Sequence, residues 1–148
     1  MSEEQGELAR RALAIAAALG AADPGEKAAA RRMDAQGAPV FWRQVARLGI
    51  PRREEEGWLR FTRLIALLTP ASAETSIHDP QRPLGAVLAD DGFSEQRLAR
   101  LLAARGDARS EALERAIRMI ARSRPRLDVV SLARAAHGQD ANRLAREA

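Results

Sequence analysis

Apolar residues recur along this chain at spacings of three and four, the period of a helix with one buried face, and nowhere alternate as a half-buried strand would require. The first stripe is Leu8, Ala12, Ile15 and Leu19, ended by Gly20. Asp23, Pro24, Gly25 and Glu26 then spell a helix start: a capping acid, a proline at the first helical position and a glutamate three after the cap. That second helix offers only alanines and Met33 as an apolar face, which predicts a short, peripheral element close to its neighbours, ending at Arg31 and Arg32 before Gly37. The stretch Pro39 to Thr69 organises the rest. It holds four of the five aromatic residues, Phe41, Trp42, Trp58 and Phe61, and these are expected to nucleate the core. One helix opens at Pro39 and closes at Gly49; Pro51 blocks continuation. The next has Glu54, Glu55 and Glu56 in its first turn, where carboxylates complement the helix dipole, and stops before Pro70. Its stripe of Trp58, Phe61, Ile65 and Leu68 is widened by Leu59, Leu64 and Leu67, so it is expected to be central and covered from several sides.

Residues 71–83 are polar and contain Pro80 and Pro83, and they are read as a linker or mobile loop between an N-terminal lobe, 1–70, and a C-terminal lobe, 84–148. Leu84, Val87 and Leu88 form a fifth helix ended by Gly92; Ser94 caps a sixth, with Leu98, Leu101 and Leu102 inward and Gly106 closing it. Asp107 is expected to cap a seventh helix that faces Leu113, Ala116, Ile117 and Ile120 inward. Arg115, Arg118 and Arg122 fall within about 60° of one another on its other side. Glu111 and Glu114 stand four residues before Arg115 and Arg118, the spacing of ordinary intrahelical ion pairs, so a solvated face is the competing reading of that stripe. Asp128 caps an eighth helix with Val129, Leu132 and Ala136 inward, and Asp140 starts a short final one carrying Arg143, Leu144 and Arg146. The fold class is all-α, one compact helical domain of eight or nine helices in two lobes.

Composition narrows the chemistry. Without cysteine there is no disulfide framework and no thiolate metal site. No apolar run approaches the roughly 20 residues of a membrane span, and Glu3, Glu4 and Glu7 sit where a signal peptide would be positive, so the start is read as the first helix of a cytoplasmic protein. The net charge of +4 is weighted toward the second half: 11 basic and 10 acidic residues precede residue 75, and 13 and 10 follow. All but Lys27 of the 24 basic residues are arginine, whose planar fork suits phosphate, although a GC-rich genome, which favours Arg and Ala codons, gives the same bias. His78 is expected on the surface of the mobile loop, and His137 as a cation at a helix C-terminus beside Gly138. Asp90 and Asp91 lack the spaced oxygens of a calcium loop, and neither phosphate-binding glycine pattern occurs. No catalytic residue, metal ligand or cofactor is assigned, which leaves binding. One candidate is a helix-turn-helix regulator over residues 94–122, with Arg109, Ser110 and Glu111 reaching base edges; another is a set of arginines that neutralise phosphates without reading sequence.

Four phrases carry a resemblance: FWRQVARLGIPR at Phe41 to Arg52, LIALLT at Leu64 to Thr69, LGAVLADDGFSEQRLARLLAARGDA at Leu84 to Ala108, and LDVVSLAR at Leu127 to Arg134. Together, in this order, they resemble the CasB family, the small subunit of the type I-E CRISPR Cascade complex. The resemblance implies an all-α, non-catalytic subunit present as two copies beside the other Cascade subunits and the guide RNA. It implies a basic surface that supports the target strand and the displaced non-target strand of the R-loop. Matched positions give Arg31, Arg32, Arg52, Arg97 and Arg115 as expected nucleic-acid contacts; Arg53, Arg100 and Arg118 join them by helical adjacency. Arg43, beside Trp42, is open to a structural role against Glu54 to Glu56. The chain ends at AREA without the aromatic residues usual in that family, which makes Arg143 the weakest expected contact.

Overall fold

The computed structural model describes residues 3–138. They form α1 (Glu3–Ala21), α2 (Pro24–Arg32), α3 (Pro39–Leu48), a 3-10 turn at Arg52–Glu54, α4 (Glu55–Leu68), α5 (Leu84–Asp90), α6 (Glu95–Ala103), α7 (Gly106–Ala121) and α8 (Val129–Ala136). The all-α expectation holds. The final helix expected from Asp140 lies outside the described residues.

The wide apolar stripe of α4 finds a partner on every side: α1, α2, α3, α7 and α8 all pack on it. Trp58, Phe61, Ile65 and Leu68 are buried, and Trp58 meets Phe61 edge-on at 5.4 Å. Trp42 departs from expectation. It is 41 % exposed, because its indole N–H donates to the Gln36 carbonyl at 2.8 Å and its ring leans edge-on against Phe41 at 4.9 Å from the outside.

The last turn of α4 has no basic residue, so its carbonyl end draws its cations from α2. Arg31 Nε donates to Ala66 O at 3.2 Å, and Lys27 Nζ to Ala71 O at 3.2 Å and also to Ala73 O in the turn that leaves the helix. Lys27 is 1 % exposed. The second helix is short and packed on its neighbours, as expected, and it is also anchored through charged stems, which apolar periodicity does not register.

Residues 71–83 are fastened to the segment that leads into α8. Asp79 N donates to Leu127 O at 2.8 Å and Leu127 N to Ile77 O at 3.2 Å, a single parallel bridge between His78 and Leu127, while Asp128 N donates to Arg82 O at 2.7 Å. The segments before and after it share one apolar core, and α1 packs against α8. Ser131 Oγ accepts from Leu84 N at 2.9 Å, which supplies the cap that Pro83 cannot give α5.

Gly20 lies inside α1, which continues to Ala21, and it is buried against the loop. A Cβ there would overlap the backbone of Thr75 and Ser76. Backbone cannot swing aside as a side chain can, so Gly20→Ala is expected to destabilise by about 1–3 kcal/mol, the range for overpacking. A urea midpoint equal to the wild type's would contradict this contact.

Candidate nucleic-acid interface

Ser94 Oγ accepts from Arg97 N at 3.1 Å and starts α6 as expected. Leu98 and Leu101 face inward, which turns Arg97 and Arg100 outward on the same helix. Helix α7 follows after Ala104 and Arg105. Its cap is Arg105, with no side-chain hydrogen bond, so Asp107 does not cap it; the helix begins at Gly106 and places Asp107 within its first turn. Leu113, Ala116, Ile117 and Ile120 are buried, as their spacing predicts.

Between the two helices lies a groove of about 330 Å³. Ala104, Ala108, Ala112 and Ala116, four residues apart, give part of it a shallow floor of small side chains, and Arg97, Arg100 and Arg115 line it with no acidic residue among the lining. Arg97 is held in place: its guanidinium carbon sits 5.1 Å from the centroid of the Phe93 ring and its Nη1 is 3.5 Å from Met119 Sδ on α7. Arg100 and Arg115 are exposed and pair with no other described side chain. Three cations thus converge on one concave strip, which suits a chain of phosphates better than a single buried anion.

Phe93 and the alanine ladder went unread in the sequence. Phe93 stands alone outside the aromatic stretch, and the four-residue alanine spacing was visible, but neither signals a groove until the helices are paired.

The other expected contacts are dispersed. Arg118 is paired with Glu114 at 3.2 Å, and Glu114 also meets Arg63 at 3.2 Å, whereas no ion pair joins Glu111 to Arg115. The basic stripe of α7 is therefore split, Arg115 into the groove and Arg118 onto an acid. Arg32 and Arg52 are exposed without a described partner, on the end of α2 and in the 3-10 turn; Arg53, also exposed, lies 3.8 Å from Glu54. Arg31 is half-buried on the carbonyl end of α4, and Arg143 lies outside the described residues. Arg43 pairs with Glu26, not with the Glu54 to Glu56 cluster; Glu54 instead takes Arg11 at 2.9 Å and Glu56 takes Arg60 at 3.0 Å.

In the helix-turn-helix alternative Arg109 would reach base edges, but the fold buries it. It is 8 % exposed, its Nε and Nη2 have no hydrogen-bond partner, and burial, with repulsion from Arg105, pushes its pKa down.

Neither histidine behaves as expected. His78 is drawn in from the surface: its Nδ1 accepts from Val129 N at 3.2 Å, beside the cap that Asp128 gives α8. His137 ends α8, but its ring stands 4.6 Å from Trp58, so close to Gly57 that a Cβ there would lie 2.5 Å from its Nδ1. Burial, reinforced by Arg60 and Arg11 against the opposing Glu54, pushes its pKa below 6.5, so the neutral ring is favoured over the expected cation. The unfolded chain takes up a proton near the ordinary imidazole value that the folded chain resists. Stability is therefore fully present above that value and falls as pH drops through it. The urea midpoint is expected to fall more for wild type than for His137→Gln between about pH 7.5 and 5.5; equal falls would contradict the burial.

No helix among the described residues is long and apolar enough to cross a membrane. The fold and its surface define an all-α single domain with an arginine-lined groove between two of its helices. The family described as CRISPR-associated protein Cse2 matches residues 26–147, and the chain belongs to that family, the small subunit of the type I-E CRISPR Cascade complex, named CasB above. No curated protein and no solved structure matches the chain.

Proposed function

We propose that this Cascade subunit is non-catalytic and stabilises the R-loop by holding single-stranded nucleic acid through its phosphates, with Arg97, Arg100 and Arg115 of the α6–α7 groove as the principal contacts. The observation that carries this is their convergence on a groove whose lining contains no acid. Exchange of a DNA duplex for an RNA–DNA heteroduplex is nearly balanced, so a few phosphate contacts on the target or the displaced strand tip it. Exposed Arg32, Arg52 and Arg53 extend the basic surface, and Arg118 joins only by exchanging Glu114 for a phosphate. Arg31 serves the end of α4 instead. The partners in this reading are the other Cascade subunits, the guide RNA, both DNA strands and a second copy of the chain, in the cytoplasm. Both histidines have structural roles, which supports binding over catalysis.

The helix-turn-helix reading is weakened by the burial of Arg109 and by Asp107 and Glu111 on the early turns of α7, which repel phosphate. Fluorescence anisotropy of the isolated chain separates the two. The expected result is similar affinity for unrelated single-stranded oligonucleotides, falling steeply between about 50 and 200 mM salt. A strong preference for one duplex sequence would favour the regulator.

A further inference from the structure

Helix α7 has a second groove on its other side, against α4, and this one is acidic. Asp34, Glu56, Asp107, Glu111 and Glu114 line it, with Arg60 and Arg63 as the only basic lining residues. Two of those acids are internally balanced, Glu56 by Arg60 and Glu114 by Arg63 and Arg118. Asp107 and Glu111 are exposed and have no described partner, and the Asp34 carboxylate accepts only a turn N–H from Gln36. Met33, Leu59, Leu64 and Leu113 give the groove an apolar component, and its volume is about 510 Å³. In a chain whose net charge is +4, this partly apolar groove is edged by five acids against two arginines.

We infer that the α4–α7 groove is a protein-docking site that takes a lysine- or arginine-rich amphipathic segment of another Cascade subunit. The inference rests on the R-loop reading above. A nucleic-acid strand is repelled by the acids, and an uncharged apolar segment would desolvate them without return, whereas a segment with apolar and cationic faces satisfies both parts of the lining. A second copy of this chain is the poorer occupant. Its convergent cations are Arg97, Arg100 and Arg115, and seating them here would remove them from the strand. Helix α7 thereby divides two tasks, with the strand on one flank and the complex on the other.

The test uses the Cascade complex assembled with guide RNA but lacking this chain, titrated with wild type, Glu111→Lys, and the double variant Asp107→Asn with Glu111→Gln. Glu111 and Asp107 support no described contact, so the fold is expected to survive, and unchanged circular dichroism checks it. Charge reversal at Glu111 is expected to weaken association about tenfold or more, and the neutral double variant to weaken it less and to flatten its salt dependence. Single-stranded DNA affinity of the isolated variants is expected to match wild type or rise slightly. The chain has no cysteine, so a dye on Ser110→Cys, in the groove lining, reports the groove directly and is expected to change emission as the chain joins. Undiminished association of Glu111→Lys, or an unresponsive Ser110 dye, would overturn the proposal. So would a loss confined to self-association of the isolated chain, which would make the occupant a second copy. Failure of the R-loop reading looks different: the chain joins in an acid-dependent way but does not lengthen the life of the R-loop.

Discussion

Trp58→Ala is expected to cost about 3–5 kcal/mol, the range for truncating a buried large aromatic, against a total stability of about 5–15 kcal/mol for a domain of this kind. Trp58 is 1 % exposed and meets Phe61 on one side and the ring of His137 on another. Its N–H lies 3.4 Å from Glu54, whose carboxylate is also held by Arg11 of α1. Truncation therefore opens a cavity where α1, α4 and α8 meet. The residues around it belong to different helices fixed by other contacts, which limits collapse into the space. Trp42→Ala provides the contrast within the same stretch of sequence. It removes one hydrogen bond to Gln36 and an edge contact on Phe41 at a partly exposed site, and about 1–2 kcal/mol is expected. Urea unfolding of the two variants measures both. Equal losses would contradict the separation of a core tryptophan from a surface one.

Reversing charge at Arg97, Arg100 and Arg115 together is expected to lower single-stranded DNA affinity about a hundredfold, taking about 1 kcal/mol for each exposed phosphate contact and tenfold for each 1.4 kcal/mol. The slope of log affinity against log salt should shrink by about 2, because three fewer phosphates are neutralised at about 0.7 each on a single strand. Helical content should not change, since these side chains lie outside the core. Reversal of Arg32, Arg52 and Arg53 removes the same number of charges from other parts of the surface. A smaller loss is expected there, because Arg32 lies at the end of α2 and Arg52 and Arg53 in the 3-10 turn, apart from the α6–α7 groove. Equal losses from the two triplets would mean that net charge, not the groove, sets affinity.

Much of the fold was legible because helices announce themselves in short-range patterns. The caps at Asp23, Ser94 and Asp128 form as read, Gly49 closes α3 in the left-handed region, and the overwide stripe of α4 is covered from several sides. What sequence did not convey was long-range. Lys27 and Arg31 look like a solvated helix surface until the carbonyl end of α4 is seen beneath them. The polar run 71–83 looks like a linker until Leu127 and Asp128 bond it. His137 looks like a dipole-compensating cation until Trp58 and Gly57 enclose it. The site followed the same division. The resemblance supplied a list of arginines, but only helix pairing separates Arg97, Arg100 and Arg115, which share a groove, from Arg31, which anchors a helix end. The acidic groove on the opposite flank is invisible in sequence, since its lining comes from four separate stretches of chain.

The central claim is that this chain prolongs the R-loop through phosphate contacts in the α6–α7 groove. The most direct test is R-loop lifetime on a matched target, using the remaining Cascade subunits and guide RNA, with and without this chain, at two salt concentrations. Wild type is expected to lengthen the lifetime, with a gain that shrinks as salt rises, and the Arg97, Arg100 and Arg115 variant is expected to join the complex without that gain. A chain that joins and leaves the lifetime unchanged at both salts would contradict the account.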